Sequence, residues 1–593
     1  MSRRDRLARN HALHYLNLSN QLNIQYLMGG DAVQPTLDMF DEELPQIRRA
    51  QAWASANSSD QDIAQIVEDF ADWGADLLML RLPKPEYRQW LTDALQAAQT
   101  LNLRRAESVH LGNLGIVHRQ SDNYDDAVDC LTQALHIARE EGDVELQGLW
   151  QGNLGNVYLD TRQYPQAEEH LNTALEIAVE LQDIRRVGQW YSNLATIHAQ
   201  RGDHQTACTM YLEALKSHQQ VGDHRSIAHT LDNIGNSLAG LGRRSEAAAC
   251  HQKALELADE LKDEQMIAHA AGNLAATLGS LGRYTEALAM HQRSIKSFET
   301  LGSIPDQILE YGRMGSTYGV LAAYPKALEC YQYMLALSQS IGHRRYEREA
   351  YTGLGNTARF TGDYKSALAC YHEALGIAEA IDDTDAQQQT LGFIGLLLFE
   401  RGDYEGALYC YENAIAIADA LGDERSVGSH LGNMGNVYNM TGQIEAAVEC
   451  LNQALDIARR NEQHRFIASL TGNLGNSYRA LKQYDTALKH YHEALQLTTA
   501  IGDLRNMGIW NENLGVLYKE LGQQDLAERY FAEGERIYSE LDIPHALDNL
   551  RRNRDLLSGG QDHASPALPP SDEADQTDQD DEEGASPAAS SSS

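Results

Sequence analysis

Long apolar runs and clusters of basic residues are both missing from this 593-residue sequence. A membrane-spanning helix needs about 18 or more consecutive apolar residues, and no such stretch occurs. The formal net charge is −37, and we find no run of Lys or Arg beyond the short N-terminal set of Arg3, Arg4, Arg6 and Arg9. Binding to a phosphate backbone or to anionic lipid requires clustered cations. We therefore expect neither nucleic acid nor a membrane as a partner.

Motifs for catalysis and cofactor binding are missing too. The sequence contains no Gly-Lys pair, so it has no phosphate-binding P-loop. Residues 353–358 match G-x-G-x-x-A, but they follow a helical segment rather than a strand. Residues 279–282 lack the G-x-S-x-G pattern of a nucleophile elbow. We predict no catalytic residues, no cofactor and no enzymatic activity.

A metal site is not expected either. His229, Asp232 and His269 could come close on neighbouring repeats, but three residues are few ligands for a metal. Histidine also recurs at other equivalent positions, such as His251 and His291. An ordinary polar surface is the simpler interpretation.

Cysteine is scarce and regularly placed. Six of the seven cysteines share one position of a repeat; they are Cys130, Cys250, Cys330, Cys370, Cys410 and Cys450. Equivalent positions of stacked helical pairs lie too far apart for the ~7 Å Cα separation that a disulfide allows. No C-x-x-C occurs. Free, buried thiols and a reducing, cytoplasmic location are therefore predicted.

A forty-residue repeat is the main feature that is present. Alanine recurs every forty residues without insertion or deletion from Ala127 to Ala527. Asparagine recurs at the same interval at positions 113, 153, 193, 233, 273, 433, 473 and 513. A fixed period of 20–50 residues is typical of a solenoid. Each unit then buries its apolar face only against its neighbours.

Two helices are predicted in every repeat. Apolar residues follow three-to-four spacing in both halves, which makes one buried helix face in each. Pro85, Pro165, Pro305 and Pro325 all fall where a helix would begin, and proline is tolerated only in a first turn. Gly-Asp pairs at 142–143, 222–223, 422–423 and 502–503 predict a C-terminal glycine followed by an N-cap aspartate.

The chain divides into five segments on this pattern. Residues 1–60 predict an N-terminal helical cap, 61–103 a degenerate first repeat, and 104–542 eleven repeats. Residues 543–557 predict a capping helix. The last segment, 558–593, has nine acidic residues and no Lys or Arg, and this composition predicts a disordered acidic tail.

The repeat resembles the tetratricopeptide repeat. The resemblance rests on small and large residues at that family's spacing: Leu154, Gly155, Tyr158, Tyr164, Ala167, Leu171 and Ala174. The G-N-L-G-N core is similar to that of Pins/LGN-type and kinesin-light-chain-type scaffolds, and to the repeat sensors of bacterial STAND ATPases. The resemblance implies an all-α, right-handed superhelical solenoid with the first helices lining its concave groove.

The same resemblance implies a peptide-binding groove. Asparagine amides offer both a donor and an acceptor to an extended peptide backbone. The predicted groove residues are Asn153, Asn156, Asn193, Asn233, Asn236, Asn273, Arg313, Asn356, Phe360, Phe393, Leu396, Phe399, Asn433, Asn436, Asn473, Asn476 and Asn513.

The middle of the array departs from this pattern. Arg313, Gly353 and Phe393 replace the asparagine in three consecutive repeats, and apolar residues gather nearby. One hypothesis is an apolar anchor pocket at Phe360, Phe393, Leu396 and Phe399, with Arg313, Arg348 and Arg359 available to an acidic ligand group. The alternative is that these residues fill a tighter bend.

The most direct functional interpretation is a non-enzymatic interaction scaffold that binds a peptide or flexible protein segment. The first alternative is a regulatory sensor whose partner is a signalling or defence ATPase or effector on another chain. An unrecognised enzyme is a remote third. The sequence predicts no particular oligomeric state.

Overall fold

The computed structural model describes residues 3–28, 33–541 and 543–556. Every regular element in these ranges is an α-helix, and there are 28 of them. The predicted tail, 558–593, lies outside the described residues, as does the glycine pair at 29–30. None of the described helices is long and apolar enough to cross a bilayer.

Five helices precede the regular repeats: α1 (Arg3–Met28), α2 (Val33–Ala56), α3 (Gln61–Trp73), α4 (Ala75–Arg81) and α5 (Lys84–Leu101). The segment from 61 to 103 therefore holds three helices instead of a simple pair. Gly74 separates α3 from α4, and a Cβ at Gly74 would lie 2.7 Å from Oγ of Ser19. Helix α1 therefore approaches position 74 too closely to leave room for a side chain there.

Eleven helical pairs follow at the predicted interval. The first helices are α6 (Arg104–Arg119), α8 (Val144–Asp160), α10 (Ile184–Gln200), α12 (His224–Gly240), α14 (Glu264–Ser280), α16 (Ile304–Val320), α18 (Arg344–Phe360), α20 (Thr384–Glu400), α22 (Glu424–Thr441), α24 (His464–Ala480) and α26 (Leu504–Glu520). The second helices are α7 (Tyr124–Glu140), α9 (Tyr164–Glu180), α11 (His204–Val221), α13 (Arg244–Leu261), α15 (Tyr284–Leu301), α17 (Tyr324–Ile341), α19 (Tyr364–Ala380), α21 (Tyr404–Leu421), α23 (Ile444–Arg460), α25 (Tyr484–Ile501) and α27 (Gln524–Glu540). A last helix, α28 (Pro544–Leu556), packs on α26 and α27.

The helix ends follow the predicted chemistry. The four prolines all lie in the first turn of a helix. Gly142, Gly222, Gly422 and Gly502 all adopt positive φ. The aspartate after each glycine accepts a hydrogen bond from a backbone N–H in the next first turn, as Asp143 does from Leu146 at 3.0 Å. The Gly-Asp prediction is confirmed.

Two glycine positions determine how closely the helices pack. A Cβ at Gly152 would lie 2.2 Å from the ring of Trp190 on the next first helix. A Cβ at Gly155 would lie 2.6 Å from Leu171 on the second helix of the same repeat. The first glycine of G-N-L-G-N therefore sets the distance between repeats, and the second sets the distance within one.

The chain forms two compact units, divided after Leu281. The division falls in the turn between α14 and α15, so it separates the two helices of one repeat. Each unit has the same all-α solenoid organisation. Within each, every described first helix packs on a second helix on either side in sequence, up to this boundary.

All seven cysteines are free, as predicted. Cys208, Cys330 and Cys410 are buried and the other four are half-buried. Burial raises the pKa of each thiol, and that of Cys330 to about 11. These side chains serve as small apolar packing groups.

Candidate functional site

The first helices form an inner layer within each unit. First helices of neighbouring repeats contact one another directly, as α8 does with α6, and α24 with α22 and α26. One face of each first helix combines residues spaced by four and three, such as Arg425, Ser429, Gly432 and Asn436. We call the side chains at these equivalent positions the groove face.

The two asparagines of G-N-L-G-N have different roles. We call the Asn153 position the first asparagine and the Asn156 position the second. Nδ2 of Asn193, a first asparagine, donates to Oδ1 of Asn156 on the preceding first helix at 2.7 Å. Nδ2 of Asn273 donates to Oδ2 of Asp232 at 2.8 Å in the same way. Asn193 and Asn273 therefore connect neighbouring first helices, whereas Asn153 donates to the carbonyl of Leu149 in its own helix at 3.0 Å.

The first and second asparagines also differ in how deeply they are buried. The first asparagines Asn153, Asn473 and Asn513 are only 9%, 3% and 2% exposed. Asn193, Asn233, Asn273 and Asn433 are half-buried. Among the second asparagines, Asn156 is buried and Asn236 is exposed; the remainder are half-buried, and these are Asn356, Asn436 and Asn476. The second asparagines are thus more accessible to a ligand.

Tyrosines hold two of the second asparagines in place. The hydroxyl of Tyr371 donates to Oδ1 of Asn356 at 2.7 Å, and that of Tyr491 to Oδ1 of Asn476 at 2.6 Å. Each tyrosine belongs to the second helix of the same repeat. Because the oxygen of each of these two amides accepts from tyrosine, its NH₂ group stays available to donate to a carbonyl.

The central apolar residues lie in two different environments. The Phe393 ring stacks on Tyr371 at 5.8 Å, and the Phe399 ring lies 5.9 Å from Tyr404. Both phenylalanines are half-buried, as is Leu396. Phe360 is 40% exposed, and the Arg359 guanidinium lies 4.4 Å from its ring centroid. Phe360 therefore presents the largest accessible apolar surface of the predicted set.

The three arginines expected beside this segment already contact acidic groups of the chain. Arg313 donates to Glu310 at 2.7 Å, and Arg359 to Glu400 at 2.6 Å. Arg348 is buried and donates to Glu349 at 3.3 Å. An acidic ligand would have to compete with these carboxylates.

The polar cluster around Asp232 is an internal network. Asp232 accepts from Asn273 and pairs with Nδ1 of the buried His251 at 2.6 Å. Burial lowers the pKa of His229. Within the described part of the chain, no group of three His, Cys, Asp or Glu side chains is arranged to hold a metal ion.

The structure adds two features that the sequence analysis missed. Asn553 on α28 lies forty residues after Asn513 and donates to Glu512 at 2.7 Å, so α28 continues the asparagine column. The second feature is an arginine at the second residue of most first helices: Arg105, Arg185, Arg225, Arg345, Arg425, Arg465 and Arg505. We call this column the arginine rim. Counting in forty-residue steps would have found both.

Three of the rim arginines pair with the N-cap aspartate of the next first helix. Arg105 contacts Asp143 at 2.9 Å, and Arg225 contacts Asp263 at 3.0 Å. Arg465 lies 3.8 Å from Asp503. The two residues are thirty-eight apart in each case, so the rim adds an ion pair between neighbouring repeats.

Paired helices stacked at a forty-residue interval define a helical-repeat protein. A tetratricopeptide repeat model matches residues 104–180, 186–260, 387–460 and 466–540, which is about half of the chain. Two further tetratricopeptide repeat models match 267–301 and 349–381. The chain belongs to the tetratricopeptide repeat family, whose members are protein-interaction scaffolds. No curated protein sequence matches it significantly.

Several solved structures are similar. One is a Signal Transduction ATPase with Numerous Domains protein with a tetratricopeptide repeat sensor, from Pyrococcus horikoshii (TM-score 0.44, 16% identity). The match covers 58% of this chain and 52% of that one, so it spans about half of that protein. Another is aspartyl phosphate phosphatase F from Bacillus subtilis (TM-score 0.40, 14% identity, covering 60% and 94%). A third is a Rap protein complexed with Competence and Sporulation Factor (TM-score 0.40, 18% identity, covering 63% and 99%).

Proposed function

We propose that this chain is a non-enzymatic scaffold that binds a peptide or flexible protein segment on the groove face. The second asparagines other than the buried Asn156 carry this proposal, because they are exposed or half-buried and an extended peptide presents unpaired N–H and C=O groups. Asn236 and Asn436 can supply both donor and acceptor, whereas Asn356 and Asn476 keep mainly their NH₂ groups. The first asparagines contribute indirectly by fixing the spacing of the first helices.

An apolar anchor on α18 and α20 is the second part of the proposal. Phe360 supplies an exposed ring, with Tyr324 stacked behind it at 5.9 Å. Leu396 and the accessible edges of Phe393 and Phe399 extend this apolar surface. Aromatic anchors of this kind usually contribute most of the binding energy of an interface. Free thiols at all seven cysteines fit a reducing, cytoplasmic location.

A peptide-display selection on the full chain tests the proposal. Selected peptides should bind in solution, and Asn436→Ala should weaken them measurably by calorimetry. Asn452→Ala is the matched control, because Asn452 is an exposed asparagine on the second helix α23. Failure to select any peptide, or equal loss of binding in the control, would contradict the proposal.

A further inference from the structure

The second asparagine of α18 belongs to a network of four side chains. The Tyr371 hydroxyl donates to Oδ1 of Asn356 at 2.7 Å. The Arg359 guanidinium is hydrogen-bonded to the same hydroxyl, and it also donates to Glu400 on α20 at 2.6 Å. The network therefore joins this asparagine to the second helix of its own repeat and to the next first helix.

The same four residue types recur three repeats later, at Asn476, Tyr491, Arg479 and Glu520. The Tyr491 hydroxyl donates to Oδ1 of Asn476 at 2.6 Å. Arg479 and Glu520 are close enough to this tyrosine for their charges to act on it. Two second asparagines of the same unit are thus held by the same kind of contact.

The network fixes the orientation of each amide. A guanidinium can only donate, so the oxygen of the Tyr371 hydroxyl accepts from Arg359 and its proton goes to Asn356. Burial raises the pKa of Tyr371 and Tyr491, so both hydroxyls keep this proton. An amide whose oxygen faces a tyrosine points its NH₂ group away from that tyrosine. Asn356 and Asn476 are half-buried, so part of each side chain is accessible to a ligand.

Asn436 on α22 lacks this constraint. Leu451 stands where the tyrosine would be, and Asn439 stands where the arginine would be. Asn436 is half-buried as well, and its amide can turn either its oxygen or its NH₂ group toward a ligand. The groove face of this unit therefore holds both oriented and unoriented asparagines.

We propose that two tyrosines act as positioning residues for the groove face, Tyr371 and Tyr491. Through them, Asn356 and Asn476 serve as subsites that donate to backbone carbonyl groups of a bound segment, an assignment that rests on the proposed function. Helices α18 and α24 are three packing steps of about 8–10 Å apart, so the two carbonyls lie roughly 24–30 Å apart. An extended segment rises about 3.3 Å per residue, so these carbonyls belong to residues about seven to nine positions apart.

A double-mutant cycle tests the positioning role with a synthetic copy of a selected peptide that Asn436→Ala weakens. Tyr491→Phe should weaken this peptide by about three- to tenfold, because the amide of Asn476 loses its fixed orientation. The same change should have no effect when Asn476→Ala is already present, since the tyrosine acts only through the asparagine. Tyr331→Phe is the matched control, because the Tyr331 hydroxyl pairs with Ser316 at 3.0 Å instead of an asparagine. Calorimetric titration measures each affinity.

Asn476→Asp tests whether the subsite must donate. Aspartate keeps an oxygen toward Tyr491 but replaces the NH₂ donor with a second oxygen. This oxygen would face the carbonyl of the bound segment. Asn476→Asp should therefore weaken the same peptide at least as much as Asn476→Ala does.

The positioning role would be wrong if Tyr491→Phe left the affinity unchanged, or lowered it equally with and without Asn476→Ala. Full affinity in Asn476→Asp, or an equal loss in Tyr331→Phe, would overturn it too. If Tyr491→Phe unfolds, Tyr371→Phe with Asn356→Ala repeats the cycle in the other network. All of these results leave the proposed function in place, because the peptide still binds the unsubstituted chain. An empty selection would instead reject the proposed function and the positioning role together.

Discussion

Single glycines set the spacing between the helices of this solenoid. Replacing a glycine by alanine should destabilise the fold at a crowded position and stabilise it at an open one. A Cβ at Gly472 would lie 2.3 Å from the ring of Trp510, which is fully buried. Gly472→Ala should therefore lower the free energy of unfolding by about 1–3 kcal/mol, the usual cost of overpacking. Chemical denaturation measures this change.

Gly279→Ala is the control. Gly279 also lies within a helix, but nothing stands within 4 Å of its Cβ position. Alanine should stabilise the chain there by roughly 0.5–1 kcal/mol through helix propensity. Equal effects at the two positions would contradict the packing role of the first glycine.

His430 should make stability depend on pH. It is 7% exposed, its Nε2 bonds Oε1 of Gln388 at 2.8 Å, and burial lowers its pKa to about 4. The unfolded chain binds a proton near pH 6.5, whereas the folded chain does so only near pH 4. Stability contributed by the neutral ring is thus present above pH 6.5 and is lost as pH falls toward 4.

The loss from this residue should reach about 2 kcal/mol between pH 7 and pH 5. Urea unfolding at both values measures it. Leucine occupies the equivalent position of the next repeat, at Leu470. His430→Leu should therefore reduce the difference in the free energy of unfolding between pH 7 and pH 5. His136→Leu is the control at an exposed histidine, since 72% of the His136 side chain is exposed. An identical pH dependence in His430→Leu would show that other groups cause the loss.

At the scale of the helix, the turns between repeats have two kinds of N-cap. Asp423 accepts from the backbone N–H of Ser426 at 3.1 Å, whereas Gln463 makes no side-chain cap for α24. Asp423→Ala should destabilise α22 by about 1 kcal/mol. Gln463→Ala should change stability by much less. Hydrogen exchange in the first turns of α22 and α24 distinguishes the two, and equal effects would reject the capping argument.

The helices of this array were predictable because every repeat has the same sequence pattern. The four first-turn prolines and the Gly-Asp pairs placed helix ends correctly, whereas Pro45 lies inside α2. The close approach of Ser19 to Gly74 was not predictable, because it joins α3 and α4 to the distant helix α1. The sequence also did not show that the first and second asparagines of G-N-L-G-N differ in their contacts and exposure. Residues three apart differ by only about 60° around a helix, so spacing alone does not show that Asn193 contacts the preceding helix while Asn236 faces solvent.

Both units repeat one packing arrangement, and the anchor hypothesis places the ligand where that arrangement changes. The central repeats lose the first asparagine and gain aromatic residues, and the anchor hypothesis for this segment stays a prediction. The structure refines its test, because the three phenylalanines differ in exposure. Phe393 and Phe399 pack on Tyr371 and Tyr404, whereas Phe360 is 40% exposed.

Phe360→Ala should weaken a selected peptide by roughly 30-fold, which corresponds to about 2 kcal/mol for a lost anchor. It should have little effect on unfolding. Phe393→Ala combined with Phe399→Ala should also abolish binding, at a further cost of about 1–3 kcal/mol in stability because two ring contacts are lost. Tyr409→Ala controls for exposed aromatic surface, since Tyr409 is 68% exposed on the second helix α21. Calorimetric titration beside thermal unfolding separates binding from stability. If Phe360→Ala binds like the unsubstituted chain, or Tyr409→Ala loses as much affinity, the central aromatic residues serve packing alone.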